Sequence, residues 1–193
     1  MKNLIALTDH QLIILFNEGN THAMEVLVNR HKDRIFTSIY LLVKDRYLAE
    51  DIFQDLFIKI IETFRAGKYK EESKFVQWAM RIAHNLCVDH FRKIKSKPVI
   101  RTGDGLDIFD MLNFEEPNAE DKIMKMQSSE RIMKLVCKLP EDQREIIILR
   151  HFADLKFREI SKILDCSVNT ALGRMRYALL NLRKLIEEKQ IAL

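Results

Sequence analysis

Turn-forming residues are scarce in this chain: five glycines and three prolines among 193 residues leave little material for the tight turns of a sheet protein. Cysteine is scarce as well. Cys87, Cys137 and Cys166 are odd in number, far apart and set within apolar helical patterns, so they read as buried free thiols in a reducing compartment and not as a disulfide framework. No apolar run approaches the length of a membrane span, and the one at the N-terminus is too short for a secretory signal before Thr8-Asp9-His10-Gln11 opens a helix with a capping box. Cytoplasm, with no insertion into a membrane, is the expectation. Signatures of catalysis are missing too: there is no nucleophile with a plausible base, no glycine-rich phosphate loop and no spaced carboxylate pair, so no enzyme is expected. His84, Cys87 and His90 have spacings that suggest zinc, but steps of three set His84 and His90 about 600° apart around a helix, about 120° short of eclipse. Neither a metal nor another cofactor is expected.

What is present is helical period. Apolar residues make up 47% of the chain, enough to bury a core, and outside one central segment they recur at helical spacing. The expected fold class is all-α: two small helical bundles joined by an acidic, flexible linker, the C-terminal bundle containing a helix-turn-helix. The first bundle, residues 1–97, holds a short helix over 8–17 ended by Gly19-Asn20, a longer one over 21–43, and a third over 47–64. In the third, Ile52, Phe53, Leu56, Ile60 and Phe64 form one stripe, while Asp51, Gln54, Asp55, Lys59 and Glu62 line the other side. After a loop over 66–72, Ser73 can cap a fourth helix in which Phe75, Trp78, Ala79, Ile82, Ala83, Leu86, Cys87 and Phe91 face inward. Its polar side carries Gln77, Arg81, His84, Asn85, Arg92 and Lys95, and leads into a basic stretch of Arg92, Lys93, Lys95, Lys97 and Arg101.

Charge then reverses. Between Thr102 and Asp121 there are seven acidic residues and no lysine or arginine, with Gly103, Gly105 and Pro117 among them. Such a segment lacks the apolar period to fold alone, which places the linker at 98–118 and the second bundle at 119–193. There a helix is expected to about Leu139, and Pro140 starts the next, with Glu141 and Asp142 favourable at its positive end. Ile160, Ile163 and Leu164 then recur at helical spacing, Asp165-Cys166 breaks the pattern, and Ser167 is placed to cap a helix with Arg174, Arg176, Arg183 and Lys184 but no acid before Glu187. That is a helix-turn-helix whose second helix suits a phosphate-lined groove.

Three motifs in this order resemble those of RNA polymerase sigma factors, in the extracytoplasmic-function (ECF) group of the sigma-70 family. Ala49-Glu50-Asp51-Ile52-Phe53-Gln54-Asp55-Leu56-Phe57 is similar to the family's core-polymerase-binding helix. Phe75 to Asn85, continuing to Asp89 and Arg92, resembles its promoter-melting helix. Leu139-Pro140-Glu141-Asp142-Gln143-Arg144-Glu145 and the helix-turn-helix resemble its upstream-promoter-binding domain. The resemblance covers nearly the whole chain and implies promoter-directed initiation with core RNA polymerase, on DNA that is duplex upstream and single-stranded at the melted element. It implies that Asp51, Gln54 and Asp55 dock on a coiled coil of the polymerase, through exposed carboxylates and an amide. It implies that Asn85 receives a base flipped from the minus-ten element, since an amide both donates and accepts on a base edge.

Arg81, Arg92, Lys93 and Lys95 are expected on phosphates, which fix register without reading sequence, and Tyr69 in the loop before that helix is a candidate for an unstacked base. Phe75 and Trp78 lie on the apolar stripe and are assigned to the core. The recognition helix departs from the family, where a basic residue and a serine commonly follow the Thr-Val step: here Thr170-Ala171-Leu172-Gly173 stands. Thr170, Leu172, Gly173, Arg174, Arg176 and Tyr177 are the candidates for the minus-thirty-five element, with Arg176 the base reader and Arg174 left for phosphate or an intradomain ion pair. An anti-sigma factor is a further partner that the resemblance implies. A stand-alone helix-turn-helix regulator and a protein-binding adaptor are the alternatives, and both leave one or more of the three motifs without a role.

Overall fold

The computed structural model describes residues 4–70, 74–95 and 132–188. The expected linker at 98–118 and the Ser73 cap lie outside the described residues, as does most of the helix expected from 119. Among the described residues there is no strand.

A single 3-10 turn, Leu4–Ala6, precedes α1 (Asp9–Asn17), α2 (Thr21–Val43), α3 (Arg46–Arg65) and α4 (Phe75–Lys95). The capping box forms as expected: the Gln11 amide N–H donates to Thr8 Oγ1 at 3.3 Å and the Thr8 amide to Gln11 Oε1 at 2.9 Å. Gly19, at φ 100°, turns the chain from α1 into α2 in a conformation that suits glycine. Lys44 ends α2 in the left-handed region at φ 58°, and Asp45 caps α3 by accepting from the Leu48 amide at 3.0 Å.

The core follows from the stripes. Ile52, Leu56, Ile60 and Phe64 of α3 meet Ile35 and Ile39 of α2 and Phe75, Ala79 and Ala83 of α4 in one buried cluster. Phe64 is its aromatic centre, stacked on Trp78 at 5.8 Å and edge-on to Tyr69 at 5.2 Å and Phe16 at 6.2 Å. Burying each such ring contributes about 1.5–3 kcal/mol. Met80, which the stripe did not include, is fully buried.

The second half has shorter helices. A helical stretch over 132–136 leads through Pro140 to α5 (Glu141–Ile147), whose last turns widen into a π-helical segment, Ile148–Phe152. Then come α6 (Phe157–Ile163) and α7 (Val168–Glu188). Asp165, left-handed at φ 46°, makes the turn between them, and Ser167 Oγ caps α7 by accepting from the Thr170 amide at 2.9 Å. A hydrogen bond from Asn181 Nδ2 to Gln143 Oε1 at 2.8 Å ties α7 to α5, and Arg150 lies over the Phe157 ring at 5.7 Å. The helix-turn-helix is therefore held as one unit.

The two halves touch. The π-helical segment packs on α2 and α6 meets α4. Lys44 Nζ donates to the Cys137 carbonyl at 2.5 Å, and His84 Nε2 lies 3.4 Å from Glu145 Oε1. Burial and the nearby Arg144 push the Lys44 ammonium below its ordinary range, while burial pushes the Cys137 thiol up.

Candidate nucleic-acid and protein interfaces

On α3 the inward stripe fixes what must face out. Asp51, Gln54 and Asp55 are all exposed, opposite Ile52, Leu56 and Ile60, and span about 100° of the helix surface. A rigid buried stripe holds three polar groups in fixed register on one side. The Arg46–Glu50 pair, 3.1 Å apart, sits beside them.

On α4, Arg81, Asn85, Asp89 and Arg92 are exposed at spacings of four, four and three, so they form one polar stripe. Arg92 Nη1 lies 3.9 Å from Asp89 Oδ1, and Lys93 is exposed beside them. The Lys95 side chain falls outside the described residues. His84 does not belong to that stripe: it is 8% exposed and turned towards Glu145 of α5. Gln77 is half-buried, its Oε1 without a hydrogen-bond partner. Trp78 and Phe75 are buried in the aromatic cluster, where the apolar stripe put them. Tyr69 is drawn into the same cluster, its ring edge-on to Trp78 at 4.8 Å, so the structure brings it to the start of α4 with part of its surface already packed. Burial, together with the Glu145 carboxylate, pushes the Cys87 thiol up to about 12, which favours its protonated form. Among the described residues no group of three metal-ligating side chains converges.

On α7 the two arginines diverge as their spacing requires. Arg174 turns to α5, its Nε 3.9 Å from Asp142 Oδ2, while Arg176 points to solvent. Tyr177 and Leu172 are exposed, and a Cβ added at Gly173 would meet nothing within 4 Å, so the backbone there is open to close approach. Thr170 is exposed at the capped end, its hydroxyl 2.8 Å from that of Ser167. Sequence reasoning missed the apolar flank of this helix. Leu172, Leu179 and Leu180 line a shallow groove of about 370 Å³ with Met175, Arg176 and Arg183. An apolar step of three to four residues beside the buried Met175 would have signalled it.

The three surfaces differ in charge and in the side chains they turn outward. An acidic face on one half and two basic helix faces, one on each half, suit a molecule that engages a protein and a nucleic acid together. Among the described residues no helix is long and apolar enough to cross a membrane.

Comparison with known proteins gives the family. The sequence model of Sigma-70 region 2 matches residues 27–97, and that of Sigma-70, region 4 matches residues 129–181. The ECF RNA polymerase sigma factor SigW of Bacillus subtilis is 29% identical over 178 residues, which is 89% of this chain and 92% of the relative. Among solved structures, CnrH in complex with the cytosolic domain of CnrY has a TM-score of 0.64 at 20% identity, over 93% of this chain and 97% of that one. The sigma factor RpoE of Bartonella quintana, in complex with the anti-sigma factor NepR, has a TM-score of 0.62 at 19% identity, over 85% of this chain and 96% of that one. With both regions matched in order and a relative aligned almost end to end, the chain belongs to the sigma-70 family as an ECF sigma factor, which binds core RNA polymerase and directs it to promoters.

Proposed function

We propose a division of this work among three faces. Asp51, Gln54 and Asp55 on α3 hold core polymerase. The stripe of Arg81, Asn85 and Arg92, extended by Lys93 and Lys95 and approached by Tyr69, takes the single strand of the melted minus-ten element. Thr170, Leu172, Gly173, Arg176 and Tyr177 enter the major groove of the minus-thirty-five element, with Arg176 as base reader and Arg174 retained on Asp142. Residues 1–97 and 119–193 act as the two working domains, and the acidic segment over 98–118 joins them, its charge suited to a channel made for nucleic acid. The protein works in the cytoplasm, where polymerase and chromosome are, and has no catalytic activity of its own.

The observation that carries this reading is the outward stripe of α4. A core-packing helix has no need of an aligned amide and guanidinium groups on its solvent side, whereas a strand that is both charged and base-bearing needs both. Asn85→Ala should lower open-complex formation with core binding unchanged, at a cost of about 1–3 kcal/mol in discrimination. Permanganate footprints of the melted region that match the unsubstituted protein would reject the assignment. A gel shift with protein alone and with core polymerase added separates the same reading from a stand-alone regulator, which needs no polymerase.

An anti-sigma factor is the natural regulator for such a chain. Two structural neighbours were solved with a bound partner: RpoE with the anti-sigma factor NepR, and CnrH with the cytosolic domain of CnrY.

A further inference from the structure

The outward arc of α3 holds more than its polar triad. Tyr47, at the start of the helix, is 81% exposed and Ile58 is 55% exposed, so both leave apolar surface in water. With about 100° per residue and Tyr47 taken as zero, Ile58 falls near 20°, Asp51 near 40°, Gln54 near −20° and Asp55 near 80°. The two apolar residues thus lie inside the fan of the three polar ones, about 16 Å apart along the axis, one towards each end. The core does not ask for them, because Ile52, Leu56, Ile60 and Phe64 already complete the buried side of the helix. Single exposed apolar residues are ordinary on a protein surface. Two of them centred on one polar arc reproduce the anatomy of a binding patch, with apolar anchors flanked by charges that exclude mismatched partners.

We infer that Tyr47 and Ile58 are the anchors that hold core RNA polymerase on α3, while Asp51, Gln54 and Asp55 select and orient it. This rests on the reading of α3 as the polymerase-docking helix. The occupant is set by charge: the arc carries Asp51, Asp55 and Glu62 against one cation, Arg65, which falls near 0° in the last turn beyond both anchors, while Lys59 falls near 120°. A basic helical surface with apolar recesses for one aromatic and one branched side chain is its complement. The two kinds of residue then leave different kinetic marks. Exposed carboxylates act on encounter and on salt dependence, whereas desolvated anchors act on dissociation.

The test measures binding of the full-length chain to purified core RNA polymerase at two or more salt concentrations, with association and dissociation resolved. Tyr47→Ala with Ile58→Ala should weaken affinity roughly tenfold or more, mostly through faster dissociation, and leave the slope of log Kd against log salt unchanged. Tyr47→Phe with Ile58→Leu should restore most of the affinity, and an unchanged thermal melt shows that the fold is intact. Asp51→Ala, Gln54→Ala and Asp55→Ala together should weaken binding and flatten the salt slope. If that triple variant weakens binding and the anchor variant stays within twofold, the anchor role is wrong and the docking helix stands. If neither variant weakens binding, the docking helix itself is wrong and the anchors go with it.

Discussion

Helices α3 and α7 are built alike, and the proposed division of work addresses them differently. Each is about six turns long, buries one stripe in its own bundle and is capped by a short polar side chain, Asp45 for α3 and Ser167 for α7. Their outer faces have opposite sign. That of α3 is acidic between Tyr47 and Glu62, and that of α7 has Arg176, Arg183 and Lys184 with no acid before Glu187. A helix that meets DNA gains from being basic, because phosphates are what it meets first; a helix that meets a protein is free to be acidic, and an acidic face repels DNA. Fold alone does not separate these roles. The residues turned away from the core do.

The largest expected effect comes from removing what the two helices share, a packed inner side. Phe64→Ala should cost about 3–5 kcal/mol in urea unfolding, since it removes the ring on which Phe16, Tyr69, Phe75 and Trp78 all converge. A loss below about 1 kcal/mol would mean that the aromatic centre is not tightly packed. Next comes the outer face of α7. Arg176→Ala should cost about 1–3 kcal/mol in upstream-element binding and relax sequence preference; across a randomised element, uniform weakening with a salt slope smaller by about one would make it a phosphate contact instead.

The caps test whether the two helices are equally anchored. Asp45→Ala and Ser167→Ala should each cost about 1 kcal/mol in thermal unfolding, and a much smaller loss at one of them would show that tertiary packing alone fixes that helix end. The smallest effect lies beneath α2. Asp9 accepts from Arg30 Nη1 at 2.6 Å and lies 2.8 Å from His31 Nε2. Burial raises its carboxyl, but the hydrogen bonds and charges of His31 and Arg30 outweigh that and hold it below the usual carboxylate value. A depressed folded pKa gives stability that is complete above the unfolded pKa and is lost as pH falls through the folded one. Asp9→Asn should therefore remove less than about 1 kcal/mol at neutral pH, the pair being partly exposed, and flatten the acid limb of the stability profile.

Local chemistry was legible in the sequence. The Thr8 capping box, the Ser167 cap, the turn at Asp165 and the inner stripes of α3 and α4 depend on residues at most a few positions apart, so spacing alone reveals them. The divergence of Arg174 and Arg176 is of the same kind. What spacing could not show is contact between distant segments. His84 reads as part of the polar side of α4 because it is one residue from Asn85, yet its partner is Glu145, sixty-one residues away. Tyr69 reads as a free loop aromatic because nothing local announces Trp78 and Phe64 as its neighbours. The π-helical segment at Ile148–Phe152 has no sequence signature of its own, since an extra residue in a helical turn leaves an apolar run looking apolar.

Lys44 bonds the Cys137 carbonyl and His84 meets Glu145, so any separation of the halves has to break both contacts. A ligand that requires them apart binds only the separated fraction, and its apparent Kd is its intrinsic Kd divided by that fraction. For such a ligand, removing the Lys44 ammonium or the Glu145 carboxylate would raise the apparent affinity by the factor by which it raises that fraction.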